Sequence, residues 1–402
     1  MELRKGYKQT EVGVIPESWE VKSLGNITDR ILGGGTPSRS NTTYWGNEIP
    51  WATVKDFATF DPYATQEYIT LLGLKKSSSN LIPKGILITS TRMALGKAVI
   101  YNNDVAINQD LKALFFNKNI DTKYLYYWFQ ANSKKIEDLG SGSTVMGVSL
   151  VDLKKLFLAL PNKNSEQTAI ANALSDMDAL ISSVEQLIEK KKAIKQGAMQ
   201  ELLKPKDGWV TKTLKQVATY RRGSFPQPYG LDKWYDDITG MPFVQVYDVD
   251  DNKKLKSETK RRISKDAQKM SIYAPTGTII LTIQGSIGRI AITQYDAYID
   301  RTLLIFESFL VEFDKYFFLW SVYRLFEKEK ETAPGGIIKT ITKEALSSFP
   351  ISYPDIAEQR KISATLSLLD DEIAVLELKF KKLTNQKQAM MQVLLTGKIR
   401  LV

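Results

Sequence analysis

The chain has 402 residues, of which 43% are hydrophobic and 25% are charged, so its composition is that of a globular protein with more than one domain. It contains neither cysteine nor histidine, which excludes disulfide bonds, thiolate or imidazole metal sites and histidine-dependent catalytic triads. Lysine and arginine outnumber aspartate and glutamate by 55 to 45, and the net charge of +10 favours an anionic partner such as nucleic acid.

The N-terminal stretch reads MELRKGYKQTEVGVIPESW and lacks the apolar core of a signal peptide. No later stretch reaches the roughly 18 consecutive apolar residues of a membrane-spanning helix. We therefore expect a soluble, cytoplasmic protein.

Residues 1–161 carry the signals of an α/β (α+β) globular domain. Short apolar runs such as GILITS and KAVIY, separated by glycine and proline, predict strands. The later stretch TKYLYYWFQANSKKIEDL predicts a helix.

Residues 162–206 predict one long helix. Its apolar side chains recur at alternating spacings of three and four, which is the heptad pattern of a coiled coil. Lys191 and Lys195 interrupt the series, and Pro205 and Gly208 mark the end of the helix. The apolar seam consists of Ile170, Leu174, Met177, Ile181, Val184, Ile188, Ala198 and Leu202.

Residues 207–354 predict a second α/β domain, and residues 355–402 predict a second long helix. The strands are TIILTI and RIAIT, and Asp355 with Glu358 forms a capping-box start for the helix. Lys387 interrupts the second seam, which consists of Ile362, Leu366, Leu369, Ile373, Leu376, Phe380, Leu383, Met390 and Leu394.

The two helices are copies of one another. KQGAMQELL, beginning at Lys195, returns as KQAMMQVLL, beginning at Lys387, and the two seams match position for position. Each apolar stripe must be buried, and the nearest complementary stripe is the other copy. We expect an intramolecular antiparallel coiled coil with pseudo-two-fold symmetry; the alternative is that each helix packs only on its neighbouring domain.

This organisation suits a ligand with two sites at a fixed separation, and DNA is a long anionic ligand of that kind. The two domains diverge where TPSRSNTTYWGNE in the first is answered by FPQPYGLDKWYDDITGM in the second. The two half-sites should therefore differ, which predicts an asymmetric bipartite DNA sequence.

Four phrases in order, GGGTPSRSNTTYWGNEIPW, ALGKAVI, NQDLKAL and LPNKNSEQTAI, resemble the specificity subunits of type I restriction-modification systems. The second half repeats the scheme with APTGTIILTIQGSIGRIAI and YPDIAEQRKI. The second half departs from this scheme at two places, where KWYDD replaces the YWG phrase and Arg301 replaces Gln109.

The resemblance implies two target-recognition domains, residues 1–161 and 207–354, held apart by the helices at residues 162–206 and 355–402. It further implies that the helices dock two methyltransferase subunits, which carry S-adenosylmethionine and methylate adenine, and that a restriction-translocase subunit can join them. The chain itself is then a non-catalytic DNA-binding subunit without a cofactor.

The motif search agrees with the absence of catalysis in this chain. A glycine-rich cofactor loop and an Asn/Asp-Pro-Pro-Tyr motif are both missing, and MALGKAV lacks the glycine and the hydroxyl of a phosphate-binding loop. Asp355 and Glu358 fit a helix cap better than a metal site. We predict no metal site.

The candidates for DNA binding are polar side chains on predicted loops, because Arg and Lys suit guanine, Asn and Gln suit adenine, and hydroxyls hold phosphates. Each can instead be a solvated surface group. In the first domain they are Thr36, Ser38, Arg39, Asn41, Tyr44, Lys55, Arg92 and Lys97. In the second they are Arg221, Arg222, Gln227, Lys233, Lys254, Arg261, Arg262, Gln284 and Arg289.

Glycine and tryptophan residues near these loops allow two interpretations each. Gly33, Gly34 and Gly35 could bring the backbone close to a phosphate or form a flexible loop. Trp45, Trp51 and Trp234 fit the core better than base stacking.

A second function remains open from the sequence alone. A basic coiled-coil scaffold that binds an acidic protein, without reading DNA, would have the same composition and the same helices.

Overall fold

The computed structural model describes residues 5–140, 147–332, 341 and 343–401. The chain forms two compact units, Met1–Glu185 with Lys379–Val402, and Gln186–Leu378. Each long helix begins in one unit and ends in the other. We refer to the units as unit 1 and unit 2.

The strands and short helices of unit 1 form its globular part. The strands are β1 (Tyr7–Thr10), β2 (Gly13–Pro16), β3 (Trp19–Ser23), β4 (Thr28–Gly33), β5 (Trp45–Ala52), β6 (Glu67–Ile69), β7 (Asn80–Ile82), β8 (Leu87–Ser90), β9 (Ala98–Ile100), β10 (Val105–Ile107), β11 (Leu111–Phe116) and β12 (Phe157–Pro161). The helices are α1 (Leu24–Ile27), α2 (Leu71–Lys75), α3 (Thr122–Ala131), α4 (Ser133–Glu137) and α5 (Leu150–Lys154).

The first long helix is α6 (Asn164–Leu202), and the globular part of unit 2 follows it. The strands are β13 (Val210–Thr213), β14 (Ala218–Arg222), β15 (Met241–Val244), β16 (Arg261–Ile263), β17 (Ile272–Ala274), β18 (Ile279–Thr282), β19 (Ile290–Ile292), β20 (Ala297–Ile299), β21 (Leu303–Phe309) and β22 (Pro350–Tyr353). The helices are α7 (Leu214–Val217), α8 (Lys265–Gln268), α9 (Lys315–Thr332), α10 (Lys343–Ser347) and the second long helix, α11 (Ile356–Leu394).

The two globular parts repeat one sheet topology. Unit 1 has four-stranded sheets in the orders β6-β5-β10-β7 and β4-β11-β8-β9, and unit 2 has β16-β15-β20-β17 and β14-β21-β18-β19. In each unit one pair is parallel, β5 with β10 and β15 with β20, and the other pairs are antiparallel. The predicted mixed fold class and internal repeat are confirmed.

A buried glutamine ties each globular part to the long helix that follows it. Gln167 accepts a hydrogen bond from the Asp121 backbone N–H at 2.9 Å and donates one to the Pro161 carbonyl at 2.9 Å. Gln359 makes the same two contacts in unit 2, with Asp314 at 2.9 Å and Pro354 at 3.0 Å. Because a buried amide must satisfy its polar atoms, this repeat keeps the helix start in one place on each domain.

The start of α11 has the predicted aspartate cap. The backbone N–H groups of Ala357 and Glu358 both donate to Asp355 Oδ1 at 2.9 Å. The Glu358 carboxylate instead lies 3.7 Å from Lys206 Nζ. Asp355 therefore supplies the cap by itself, and Glu358 faces the end of the other long helix.

Segments of both long helices pack together antiparallel within each unit. In unit 1, Asp178 lies 2.6 Å from Lys387, and Glu166 lies 2.7 Å from Arg400. Residue numbers therefore rise along one helix as they fall along the other.

In unit 2 three ion pairs join the helices, and the same direction follows from Lys191 with Glu372 and Lys195 with Asp370, in which one residue number rises as the other falls. Lys191 contacts Glu372 at 2.6 Å and Lys192 contacts Glu377 at 3.2 Å. The third pair is Lys195 with Asp370.

The lysines that interrupt the two seams are thus paired across the helices. Lys195 with Asp370 and Lys387 with Asp178 occupy equivalent positions of the repeat, and only 15% of each lysine side chain is exposed. Because a half-buried ammonium group needs an opposite charge, these pairs favour one register of the antiparallel helices.

The apolar seam positions are all buried or half-buried. Those that are buried are Ile170, Leu174, Val184, Ile188, Ile362, Leu366, Ile373, Leu383 and Leu394. Those that are half-buried are Met177, Ile181, Ala198, Leu202, Leu369, Leu376, Phe380 and Met390.

Helix pairing and packing on the globular domain occur together. Ile170 and Leu174 share a core with strands and helices of unit 1 and with Leu394, whereas Ile362 and Leu366 lie in the core of unit 2. The two alternatives left open by the sequence are therefore not exclusive, since each helix end completes a domain core.

Two leucines on α11 test this packing. Leu366 is fully buried and Leu368 is 61% exposed, although they stand two positions apart on one helix. We expect Leu366→Ala to lower the free energy of unfolding by about 2–5 kcal/mol through the cavity that it leaves. Leu368→Ala should change it by less than about 0.5 kcal/mol. Urea denaturation followed by circular dichroism measures both, and equal effects would contradict the helix orientation.

Candidate nucleic-acid interface

In unit 1 the polar candidates gather around Trp45. The guanidinium carbon of Arg39 lies 3.8 Å from the centre of the Trp45 ring. Both terminal nitrogens of Arg39 contact the Glu67 carboxylate, with 2.9 Å between Nη2 and Oε2. Hydrogen bonding between the two groups raises the pKa of Arg39 and lowers the pKa of Glu67. The side chain is held in one place by a ring and a carboxylate.

Other candidates of unit 1 serve the loop itself. Asn41 Oδ1 accepts from the Thr43 N–H at 3.0 Å and so caps the short 3₁₀ turn that contains Tyr44. Trp45 Nε1 donates to the Ser38 carbonyl at 3.1 Å. Thr36 Oγ1 donates to Gln109 Oε1 at 2.6 Å. These bonds shape the loop, and Thr36, Ser38 and Arg39 remain exposed on it.

The remaining cations of unit 1 lie on other loops. Lys55 is exposed in the 3₁₀ turn Val54–Phe57. Arg92 and Lys97 are exposed in the connection between β8 and β9. Arg92 is 4.0 Å from Asp110, so its charge is only loosely compensated.

The glycines of the first loop pack against the chain itself, which neither interpretation from the sequence anticipated. A Cβ at Gly34 would lie 1.8 Å from the Ile107 carbonyl oxygen, and one at Gly35 would lie 1.9 Å from Ser78 Oγ. A Cβ at Gly223 of unit 2 would lie 2.3 Å from the Ile299 carbonyl oxygen. Glycine is therefore required where the loop crosses the end of the central parallel strand.

In unit 2 an aromatic platform of Phe225, Tyr229 and Tyr235 carries the corresponding surface. The Phe225 ring centre is 5.0 Å from that of Tyr229 and 5.4 Å from that of Tyr235. The guanidinium carbon of Arg261 lies 3.7 Å from the centre of the Tyr235 ring, and that of Arg301 lies 5.2 Å from the centre of Tyr229. Cation–π attraction of this kind holds the guanidinium groups in place on the rings.

A polar network joins this platform to Gln245 and Tyr247. Gln245 Nε2 donates to the Tyr229 hydroxyl at 2.6 Å, and that hydroxyl donates to Asp300 at 3.2 Å. The Tyr247 hydroxyl donates to Gln245 Oε1. Burial raises the pKa of Tyr247 to about 12 and also raises the pKa of Tyr229. Both phenols therefore stay protonated and retain their donors over the physiological pH range.

Three of the predicted cations of unit 2 border the platform. Arg222 Nε donates to the Arg301 carbonyl at 3.2 Å, and Arg262 Nε donates to the Gly240 carbonyl at 2.7 Å. Lys233 Nζ lies 4.3 Å from the centre of the Trp234 ring. Gln227 is exposed in the loop between Phe225 and Tyr229.

The other predicted residues of unit 2 lie in different contacts. Arg221 is 3.6 Å from Glu307, and Gln284 is exposed in the turn after β18. Arg289 lies 3.2 Å from Asp251 and donates to the Val249 carbonyl at 3.3 Å, so it holds the loop that carries Lys254.

That loop forms one wall of a cleft of about 1030 Å³ in unit 2, whose other walls are α9 and parts of the two long helices. Lys253 lies there in the left-handed backbone region, 4.1 Å from the centre of the Tyr323 ring. Burial, followed by the nearby charge of Lys195, lowers the pKa of Lys253 to about 8. Acidic and basic side chains both line the cleft, which gives it no preference for an anionic ligand.

Sequence reasoning missed the aromatic and carboxylate partners of the predicted cations. Most of these partners are distant in sequence from the cations, and the others lie in loops without a regular pattern of polar and apolar residues. They are Glu67, Tyr229, Tyr235, Gln245 and Tyr247. The core positions expected for Trp51 and Trp234 agree with the structure, since these side chains are 2% and 8% exposed. Trp45 is half-buried and carries Arg39.

A family model described as the type I restriction modification DNA specificity domain matches the chain twice, over residues 16–195 and 206–385. The chain belongs to this type I specificity family. The double match coincides with the repeated sheet topology of the two units.

Curated relatives of this specificity protein match either nearly the whole chain or one part of it. The MjaIX specificity subunit of Methanocaldococcus jannaschii is 26% identical over 417 aligned residues, covering 96% of this chain and 92% of the relative. The EcoR124I/EcoR124II specificity subunit of Escherichia coli is 32% identical over 173 residues, covering 41% and 42%.

A solved structure shares the fold. The type I restriction-modification S subunit of M. genitalium matches with a TM-score of 0.61 and 14% identity over 98% of both chains. A chain from a study of complex assembly in a type I system matches with a TM-score of 0.58 and 15% identity, over 96% of this chain and 99% of that one.

Two further findings concern the described residues alone. Within them, no group of three or more acidic side chains is placed to hold a metal ion. Also within them, no helix combines the length and the apolar character that a membrane crossing needs.

Proposed function

We propose that this specificity protein is the non-catalytic, sequence-reading subunit of a type I restriction-modification complex and that it binds an asymmetric bipartite DNA site. The observation that carries this proposal is that each unit presents cations fixed on aromatic rings, built from different residues in the two units. The loop around Trp45 in unit 1 and the aromatic surface around Tyr235 in unit 2 would contact different base pairs. Two unlike surfaces on one repeated frame fit two unlike half-sites.

The two paired long helices would act as the spacer between half-sites. Both are continuous over 39 residues, which corresponds to roughly 58 Å at 1.5 Å per residue. The ion pairs of Lys195 and Lys387 would keep their register.

Methyltransferase subunits would supply the chemistry and would carry S-adenosylmethionine, and a restriction-translocase subunit can complete the complex. A surface suited to them lies on the long helices. Leu368, Val375 and Leu378 of α11 are 61%, 65% and 69% exposed, and they follow one another at spacings of seven and three. An exposed apolar stripe with heptad spacing is typical of a surface that binds another helix.

A scaffold that binds an acidic protein remains the alternative, and a salt titration separates the two functions. DNA binding through several phosphates releases counterions, so affinity should fall about 10³- to 10⁵-fold between 50 and 200 mM salt for six to ten contacts. Fluorescence anisotropy with a labelled duplex, with the chain alone and with its methyltransferase subunits, measures this. A flat response would reject DNA readout and favour the scaffold.

The spacer proposal predicts a change in the DNA gap. Inserting one heptad into both α6 and α11 adds about 10.5 Å of helix, so the gap between half-sites should lengthen by about three base pairs at 3.4 Å each. Sequencing of methylated adenines in cells that carry the variant reads the gap directly. Inserting the heptad into one helix alone is the control, and it should disturb pairing instead. An unchanged gap would contradict the spacer.

If the exposed apolar stripe of α11 is the docking surface, substitutions in it should impair assembly with the methyltransferase without impairing folding. Val375→Asp with Leu378→Asp adds charge at exposed positions, so the chain should keep its melting temperature but lose copurification with the methyltransferase. Ile373→Asp with Leu376→Asp is the contrasting pair, because it places unpaired charge in the seam and should destabilise the helix pair itself. Normal copurification by the first variant would place the docking surface elsewhere.

A further inference from the structure

The two arginines that lie on aromatic rings, Arg39 and Arg261, differ in which edge of the guanidinium is occupied. Arg39 uses both terminal nitrogens, Nη1 and Nη2, on the carboxylate of Glu67. Its most specific hydrogen-bonding edge is therefore already paired within the protein.

Arg261 is held from the opposite edge. Its Nε lies 3.2 Å from each carboxylate oxygen of Asp237. Among the described residues, its two terminal nitrogens donate no hydrogen bond. These two nitrogens form the fork of the Arg261 guanidinium group, which therefore remains available to a ligand.

Three constraints fix this fork before any ligand binds. The backbone of Arg261 pairs with Phe243 in the sheet, its Nε is held by Asp237, and its guanidinium carbon lies 3.7 Å from the centre of the Tyr235 ring. Only 35% of the side chain is exposed. A side chain held in this way loses little conformational entropy on binding, which favours specific contacts.

The chemistry of the free edge selects among the bases. Guanine presents two adjacent acceptors, N7 and O6, in the major groove, whereas adenine and cytosine each present a donor and thymine a single acceptor beside a methyl group. Two parallel N–H donors match guanine alone.

We propose that Arg261 reads a guanine in the half-site bound by unit 2, and that Arg39 is a positioning residue that holds Trp45. The proposal rests on the proposed DNA-reading function. Because Asp237 already offsets the charge of Arg261, the residue contributes sequence discrimination more than general attraction to DNA.

Selection from a randomised duplex library tests this without knowledge of the target. The full-length chain, assembled with its methyltransferase subunits, is compared with Arg261→Lys, which keeps the charge and loses the planar fork. Wild type should select two half-sites, and Arg261→Lys should lose selection at one guanine position with the other positions unchanged. Affinity for the wild-type site should fall roughly 5- to 100-fold with an unchanged salt slope.

Base analogues and a control variant complete the test. Replacing that guanine by 7-deazaguanine, which lacks N7, should weaken binding by wild type but not by Arg261→Lys. Arg39→Lys is the control and should leave every selected position as in wild type.

Three outcomes would overturn the proposal while leaving DNA reading intact. They are an unchanged selected sequence with Arg261→Lys, an equal loss of affinity on all sequences with a reduced salt slope, which would indicate a phosphate contact, and loss of a guanine position with Arg39→Lys. If wild type selected no sequence at all, the proposed function itself would fail.

Discussion

The architecture depends on the pairing of two long helices that each carry one apolar face interrupted by lysine. An apolar stripe in water must be covered, and a lysine within such a stripe must find a carboxylate or remain exposed. In each unit both conditions are met by the same neighbour, since Lys195 meets Asp370 and Lys387 meets Asp178. The apolar residues supply the attraction, and the charges favour one register over its alternatives.

The repeat then separates what is common to the two units from what differs. Buried positions are common, as the equivalent contacts of Gln167 and Gln359 and the equivalent sheet orders illustrate. The loops that follow β4 and β14 differ. The first carries Arg39, and the second carries the platform of Phe225, Tyr229 and Tyr235. A constant frame with variable loops allows one fold to bind different DNA sequences, because loops change without disturbing the core.

The surfaces also show how differently an arginine can be used. The guanidinium group of Arg39, on Trp45, uses its terminal nitrogens on Glu67 and is part of the fold. The guanidinium group of Arg261, on Tyr235, is bonded through Nε and keeps its two terminal nitrogens as donors. The residue type is the same, and in both cases the guanidinium group lies over an aromatic ring. The position of the neighbouring carboxylate makes the difference.

The sequence by itself determined the mixed fold class, the two long helices, the internal repeat and the family. Those features depend on local periodicity and on a comparison of the chain with itself, and both are present in the order of residues. The tertiary structure alone decided which lysines in the seams are paired, why Gly34 cannot carry a side chain, and which cations lie on rings. Each of these depends on groups far apart in the chain, such as Arg39 with Glu67 or Gly34 with Ile107, and no local pattern encodes such distances.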